Sequence, residues 1–525
     1  MKVLSFSPFG YEGSLVIVEV DLRRGIPSCD VVGLADCAVK EARERMRAAI
    51  RNSNLDFPPE RVLINLSPAD LKKEGSGFDL AIALAVLQAH YQTETEKTCN
   101  IPILVMGELE LSGKLRPVRG THAAILTAAE EGIKYCIIPK CNDFNATQLG
   151  NIKVFPVENL LEAKETLEYI TNSLENNSDF GENQYINARD TSEIKIAFSD
   201  CPKEMDFSSV KNQTTLVRAL QVAAAGGHNV LSYGPPGCGK TLSMQRFSAL
   251  LPNLSLKESR EVTRIWSIAG LISPTTELLK SPPFRMPHQS ASLEGMVGGG
   301  IHCHPGEISL AHNGVLFLDE AAEFKTSVLQ TLRVPLETRS VTLSRAGRHT
   351  LYPADFQLLI ATNPCPCGNF GSKDKICLCS ASSVENYWKK FSGPLLDRVD
   401  IRIPLFNSID ENNSFAENAG VYSGISTVEL RKNIKTAREI QFSRQNKLNS
   451  KLTPEEIPFY CALSKDLELA LAKFAEKYDF SARGIHSCIK LARTIADMQG
   501  TYDIKKEHLA EAMFYRKFQG VLNPF

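Results

Sequence analysis

Nowhere does the sequence offer the roughly 18 uninterrupted apolar residues that a membrane-spanning helix needs, which excludes a helical membrane protein. Its opening, MKVLSFSPFGYEG, has no basic segment followed by an apolar one, so no secretory leader is expected and a cytosolic protein is. Net charge is almost absent: 59 Lys and Arg stand against 60 Asp and Glu, leaving −1. Such a chain has no overall positive field, so any binding to nucleic acid must come from a local basic surface. Internal repeats and extended low-complexity tracts are missing as well, which excludes a solenoid. All but four of the 14 cysteines lack regular spacing, the pattern of reduced thiols packed as small hydrophobes.

What remains is a composition of 43% hydrophobic and 23% charged residues, that of a folded soluble protein, in a chain of 525 residues too long for one core. Roughly two to four domains are expected. The run SLVIVEVD from Ser14 predicts a strand, and Ala38 to Arg51 a helix with Glu and Arg at helical spacing. Strands are predicted at Arg61 to Leu66, Ile101 to Leu111 and Lys134 to Pro139, with helices at Asp79 to His90 and Thr121 to Glu131. The segment from Thr171 to Ser199, rich in Asn, Ser, Asp and Glu, reads as a solvated linker. Beyond it a helix at Gln213 to Ala225 and strands at Asn229 to Ser232, Val315 to Leu318 and Gln357 to Ala361 are predicted. An Asn/Ser/Gly-rich stretch to Thr427 then precedes helices at Val428 to Lys447, Lys465 to Lys477, Ala482 to Asp497 and Lys506 to Phe514.

The segment GPPGCGKT, comprising Gly234, Pro235, Pro236, Gly237, Cys238, Gly239, Lys240 and Thr241, is a complete P-loop between a predicted strand and a helix. Its glycines let backbone amides curl around phosphate oxygens, Lys240 can reach the β and γ phosphates of ATP, and Thr241 can ligate Mg2+. GVLFLDE, Gly314 to Glu320, is an apolar strand ending in two acids. Downstream of a P-loop, Asp319 is expected beside the magnesium and Glu320 beside the attacking water. This is the chemistry of an ATP hydrolase.

With QLLIATNP, SGPLLDRVDI and SARG, these residues resemble an AAA+ ATPase of the magnesium-chelatase and MCM branch. By that comparison Asn363 corresponds to sensor 1, Arg398 to the arginine finger inserted by a neighbouring subunit, and Arg483 to sensor 2. PHQSASLEGMVGGG, PGEISLAHNGVLFLDEAAEF, YPADFQLLIATNPCPCG and LARTIADM are similar to the ComM/YifB family, and GIPSCDVVGLADCAVKEARERMRAAIRNS with LSPADLKKEGSGFDLAIALAVL resembles its Lon-protease-like domain. The resemblance covers nearly the whole chain. It implies an α/β protein in three parts: a Lon-protease-like α/β domain over residues 1–170 and, after a linker over 171–200, a three-layer αβα AAA+ core over 201–409 and a C-terminal helical lid over 410–525. It further implies a hexameric, DNA-stimulated helicase that acts on single-stranded and branched DNA, drives branch migration in natural transformation, and has recombination proteins as candidate partners. A magnesium-chelatase ATPase subunit and a protein-remodelling ATPase are the alternatives. The segment IHCHPGE departs from the family pattern at His304; His302, Cys303 and His304 are read as surface loop side chains.

Three further features follow. In the Lon-like part Gly77 occupies the position of the nucleophilic serine, and His122 or Ala124 that of the lysine base, so Ser76 reads as a loop hydroxyl and no peptidase activity is expected. VTLSRAGRHTL, Val341 to Leu351, has strand formers on either side of a basic tip and predicts a hairpin. In MCM-like rings a hairpin at this place enters the channel, where Arg345 and Arg348 would meet DNA phosphates. Finally, Cys365, Cys367, Cys377 and Cys379 form two C-x-C pairs nine residues apart. Four thiolates can surround a structural Zn2+, with free thiols as the alternative.

Overall fold

The computed structural model describes residues 2–34, 36–69, 71, 73, 75–92, 101–142, 151–175, 196–211, 213–273, 275–300, 303–345, 348–370, 375–405 and 424–517. His302, most of the linker, Gly371, Lys373 and the Asn/Ser/Gly-rich stretch over 406–423 lie outside them.

The N-terminal part is built on a seven-stranded mixed sheet. From edge to edge its strands are Cys29–Val32, Arg61–Ser67, Ser14–Arg23, Lys2–Ser7, Pro102–Val105, Tyr135–Pro139 and Lys153–Val157. Side chains alternate across it, so Val3, Val16, Val18, Ile64 and Ile103 face one apolar cluster while Leu4, Phe6, Leu104, Cys136 and Ile138 face another. Helices Cys37–Asn52 and Asp79–Gln92 cover the first face. Helix Thr121–Glu130 covers the second. The run Ile101 to Leu111 is two short strands, Pro102–Val105 and Glu108–Leu109, rather than one. The break falls at Gly107, where a Cβ would lie 3.0 Å from Leu80 and 3.1 Å from Leu115. Helix Leu160–Glu175 takes in residues whose composition reads as linker.

The second sheet is parallel throughout, with strands Phe284–Arg285, Val315–Leu318, Gln357–Thr362, Val230–Tyr233 and Ile401–Pro404 in that order across it. Its three central strands are buried on both faces, which is why they read as continuous apolar runs. Val230, Phe317, Leu359, Ile401 and Ile403 point into one cluster, and Leu231, Tyr233, Leu316, Leu318 and Ile360 into the other. Helix Thr214–Gly226 closes the first face, and the segments around Tyr387 and Trp388 help close the second, which makes three layers.

Helices Thr427–Gln445, Lys465–Lys477, Ala482–Met498 and Lys506–Arg516 form the C-terminal lid, which shares a core cluster with the first face of the sheet. Polar clamps hold it there. Asp206 accepts hydrogen bonds from the Thr427 amide and hydroxyl, both at 2.8 Å. Asp400 is reached by Ser487 at 2.6 Å and by His228 at 3.2 Å, and Arg218 pairs with Glu511 at 2.9 Å. The N-terminal part docks on the core as well: Arg264 pairs with Glu130 at 2.7 Å, and buried His122 donates Nε2–H to the Thr276 carbonyl at 2.7 Å.

Candidate functional site

In a parallel sheet, ligands gather at the carboxyl ends of the strands, and the sequence-predicted nucleotide residues meet there. The strand Val230–Tyr233 runs straight into Gly234, where a side chain is impossible because its Cβ would lie 2.1 Å from the Leu405 carbonyl oxygen. Gly237 and Gly239 have φ of +82° and +79°, the left-handed values that turn successive amides inward. At Gly237 nothing lies within 4 Å of where a Cβ would be.

Lys240 is folded into this loop, its Nζ donating to the carbonyls of Gly234 at 2.6 Å and Pro235 at 2.8 Å, with Asn363 Oδ1 at 3.5 Å. Burial lowers its pKa from the ordinary lysine value. The Thr241 hydroxyl donates to Asp319 Oδ1 at 3.1 Å. Two oxygens this close, one neutral and one anionic, are a donor set that fits a magnesium ion. Asn363 is fixed by its neighbours: the Thr362 hydroxyl lies 3.0 Å from the Tyr387 hydroxyl, and Trp388 Nε1 donates to the Pro364 carbonyl at 3.0 Å.

Glu320 follows Asp319 in a left-handed conformation, φ +47°, that is rare for a residue with a side chain. Its amide donates to Asp319 Oδ1 at 3.0 Å, and its carboxylate accepts a short hydrogen bond from Gln289 Nε2. Gln289 is a contact that sequence reasoning missed. It lies inside the quoted stretch PHQSASLEGMVGGG, but no spacing rule ties it to an acid 31 residues away.

Arg398 and Arg483 are brought together, and not beside Lys240. Arg398 Nη2 pairs with Glu337 at 2.6 Å and Nη1 donates to the Pro394 carbonyl at 2.6 Å, while Arg483 Nη1 lies 3.4 Å from the other oxygen of Glu337. The two guanidiniums hold the Glu337 carboxyl below its ordinary pKa, Arg398 contributing most. All three line a cleft of about 640 Å³ that also includes Asn229, Gly314 and Gln357, residues at the amino ends of the strands. The phosphate loop is at the carboxyl ends. A strand of four residues separates these edges by roughly 13 Å.

The hairpin is present as antiparallel strands Ser340–Arg345 and Arg348–Pro353, in register up to Arg345 opposite Arg348. Its tip, residues 346 and 347, lies outside the described residues. Cys303 is not on the surface, as the sequence reading had it: the residue is 1% exposed and its carbonyl accepts a hydrogen bond from the Tyr352 hydroxyl at 3.0 Å. A φ of +50° turns this side chain into the core under the hairpin, while His304 stays exposed.

The four clustered cysteines converge, all sulfurs lying within 4.8 Å of one another. Cys365, Cys367 and Cys377 are separated by 3.4, 3.7 and 3.6 Å. Four thiolates at about 2.3 Å from a tetrahedral zinc would be about 3.8 Å apart, so the donor set fits that ion. Hydrogen bonding from the Asn369 amide lowers the Cys367 thiol to about 6, and burial raises that of Cys365 to about 12. The cysteine loop rests on the nucleotide site: at Gly368 a Cβ would be 2.9 Å from Pro236 and 3.9 Å from Asn363. In the N-terminal part, Ser76 donates a short hydrogen bond to Glu108, and Gly77 supplies no side chain. His122 is turned to Thr276 rather than to Ser76.

Residues 206–413 match the family model for magnesium chelatase, subunit ChlI; residues 18–142 match that for subunit ChlI of Mg-chelatase, and 424–516 its C-terminal model. The chain is 37% identical over 520 residues to competence protein ComM of Haemophilus influenzae, covering 98% of this chain and 97% of that one. It is 38% identical over 514 residues to uncharacterized protein YifB of Escherichia coli, covering 98% and 96%. A shorter likeness, 26% over 212 residues and 39% of this chain, reaches the archaeal Lon protease of Methanocaldococcus jannaschii, of which it covers 27%. Among the described residues no helix is long and apolar enough to cross a membrane.

Proposed function

The chain belongs to the ComM/YifB family of magnesium-chelatase-like AAA+ proteins, and from that membership we propose that it is a DNA-stimulated ATPase working as a hexameric ring that drives branch migration. The observation that carries this reading is the opposition of the two charged clusters. Gly234 to Thr241, Asp319, Glu320 and Asn363 occupy one edge of the sheet, and Arg398 and Arg483 the other. One chain therefore cannot complete its own site, whereas a neighbour presenting its arginines to this phosphate loop can.

ATP is the substrate, bound between subunits in the cytoplasm. Thr241 and Asp319 would hold the magnesium ion, which supplies charge neutralisation at the phosphates. Glu320 polarises the attacking water, Asn363 orients it, and Lys240 with the neighbour's Arg398 and Arg483 stabilises the transferred charge. Cys365, Cys367, Cys377 and Cys379 would hold a structural zinc that braces the loop after Asn363 against Pro236. Hydrolysis moves the hairpins carrying Arg345 and Arg348, which track phosphates without reading bases. The relative named for competence supports natural transformation as the setting; on this reading single-stranded and branched DNA is the substrate and recombination proteins are partners.

The test is strand exchange on a three-way junction by wild type and Glu320→Gln, with ATPase rates measured with and without DNA. Wild type should resolve the junction and hydrolyse ATP faster on DNA; Glu320→Gln should do neither. Equal rates with and without strands, and an unchanged junction, would return the choice to a chelatase subunit or a protein-remodelling ATPase.

A further inference from the structure

Besides the Arg264–Glu130 and His122–Thr276 contacts, the N-terminal part touches the returning strand of the hairpin, at Thr350 and Tyr352. The connection between strands Lys2–Ser7 and Ser14–Arg23, sequence PFGYEG, reaches across and seats on the returning hairpin strand. The Tyr11 amide donates to Thr350 Oγ1 at 3.1 Å. Gly10 lies so close that a Cβ there would be 2.2 Å from the same oxygen, and its φ is +65°. The Tyr11 ring meets Tyr352 edge to face, with centroids 6.1 Å apart, and its other side is covered by the Arg264 guanidinium at 5.2 Å. Burial raises the Tyr11 hydroxyl to about 12. Thr127 fastens the loop from behind, its hydroxyl donating to the Glu12 carbonyl at 2.7 Å.

Each partner continues into the machinery. Tyr352 is fully buried and holds the Cys303 carbonyl; the adjoining Gly298 has Leu343 of the first hairpin strand 3.2 Å from where its Cβ would be. Gln289, at the head of the same segment, holds Glu320. Arg264, on helix Leu256–Ile268, is itself tied to Glu130 of the N-terminal part. Gly10 and Tyr11 thus stand on a rigid sheet and grip the one element of the core whose displacement is the output.

We propose that the Gly10–Tyr11 loop is a positioning brace for the hairpin, so that the N-terminal domain sets the stroke of the DNA-contacting element of the same chain. This rests on the DNA reading above for its consequence, but not for the contact itself. A rigid sheet that fixes one strand of a two-stranded hairpin at Thr350, the third pair from the tip, confines its motion to the part beyond that pair. With this contact released, hydrolysis would continue while its displacement dissipated in the hairpin.

The experiment uses the full-length protein with Gly10→Ala, Tyr11→Ala and Tyr11→Phe, and reads three quantities: basal ATPase, its stimulation by DNA, and amide hydrogen exchange over residues 340–353. Tyr11→Phe keeps the ring on Tyr352 and the amide on Thr350 and should behave as wild type. Gly10→Ala and Tyr11→Ala should keep the basal rate, lose at least five-fold of the DNA stimulation, and speed hairpin exchange about ten-fold. Arg345→Ala/Arg348→Ala should lose stimulation with exchange unchanged, which separates phosphate contact from bracing. If wild type shows no stimulation, the DNA reading fails and exchange alone decides the brace. Wild-type exchange in both Gly10→Ala and Tyr11→Ala would overturn it, as would full DNA stimulation despite faster exchange.

Discussion

If the arginines serve a neighbour's nucleotide, two inactive subunits must repair each other. Lys240→Ala removes the phosphate-loop cation and leaves Arg398 and Arg483 on Glu337; Arg398→Ala leaves the phosphate loop untouched at the other edge of the sheet. The roughly 13 Å across the sheet means that neither substitution perturbs the other cluster directly. Removing a finger arginine costs on the order of 10³-fold or more in hydrolysis, and each pure variant should fall to that floor. In rings assembled from equal amounts of the two, about one interface in four joins an intact phosphate loop to an intact arginine. Steady-state ATPase on DNA should therefore return to about a quarter of wild type, far above either parent. Repeating the mixture with Arg483→Ala in place of Arg398→Ala tests the second arginine separately. Differently tagged subunits must co-purify, so that mixed rings are shown to exist. Mixed rings with no activity above the parents would refute the shared site, and complementation by Arg398→Ala but not by Arg483→Ala would return Arg483 to its own chain's nucleotide.

Gln289→Ala removes the donor that holds the Glu320 carboxylate, a contact to a charged group worth about 1.5 kcal/mol, so basal hydrolysis without DNA should rise about ten-fold; a lowered rate would mean that Gln289 aligns Glu320 rather than restraining it. Cys367→Ser should reduce zinc, measured by metal analysis, from one per chain to about none, and should weaken nucleotide binding in titrations because Gly368 loses its seat on Pro236. Unchanged nucleotide affinity in metal-free protein would separate the cysteine loop from the phosphate loop. Asp206 is held at a pKa of about 2, chiefly by the Thr427 amide, below the ordinary 3.8. A depressed folded pKa gives stability that is complete above about 4 and lost as pH falls toward about 2. Melting temperatures from pH 5 to 2 should fall less steeply for Asp206→Asn than for wild type, and parallel curves would show that this carboxylate does not set the acid response of the lid.

The difference between what was legible in the sequence and what was not follows the range of the interactions. Gly234 to Thr241 and Gly314 to Glu320 announce themselves because each is a continuous stretch whose task is done by its own backbone and neighbouring side chains. The strands Val315–Leu318 and Gln357–Thr362 were readable for a related reason: burial on both faces leaves an apolar run that no helix period explains. Short edge elements such as Cys29–Val32 have no such signature, and the break at Gly107 depends on Leu80 and Leu115 crowding it from elsewhere in the chain. Cys303 was misplaced because its histidine neighbours are polar, whereas one left-handed residue decides which side chain goes inward. The contacts that join the parts are the least legible. Glu337 meets arginines 61 and 146 residues away, and Tyr11 meets Thr350 across 339. No periodicity records a pair of that separation, since its cost is chain entropy and its reward is paid only when the domains dock. Residue types at short spacing thus identify the chemistry a segment can perform, while the transmission of that chemistry to another part of the molecule is written in glycines and aromatics that look ordinary until the surfaces they separate are brought together.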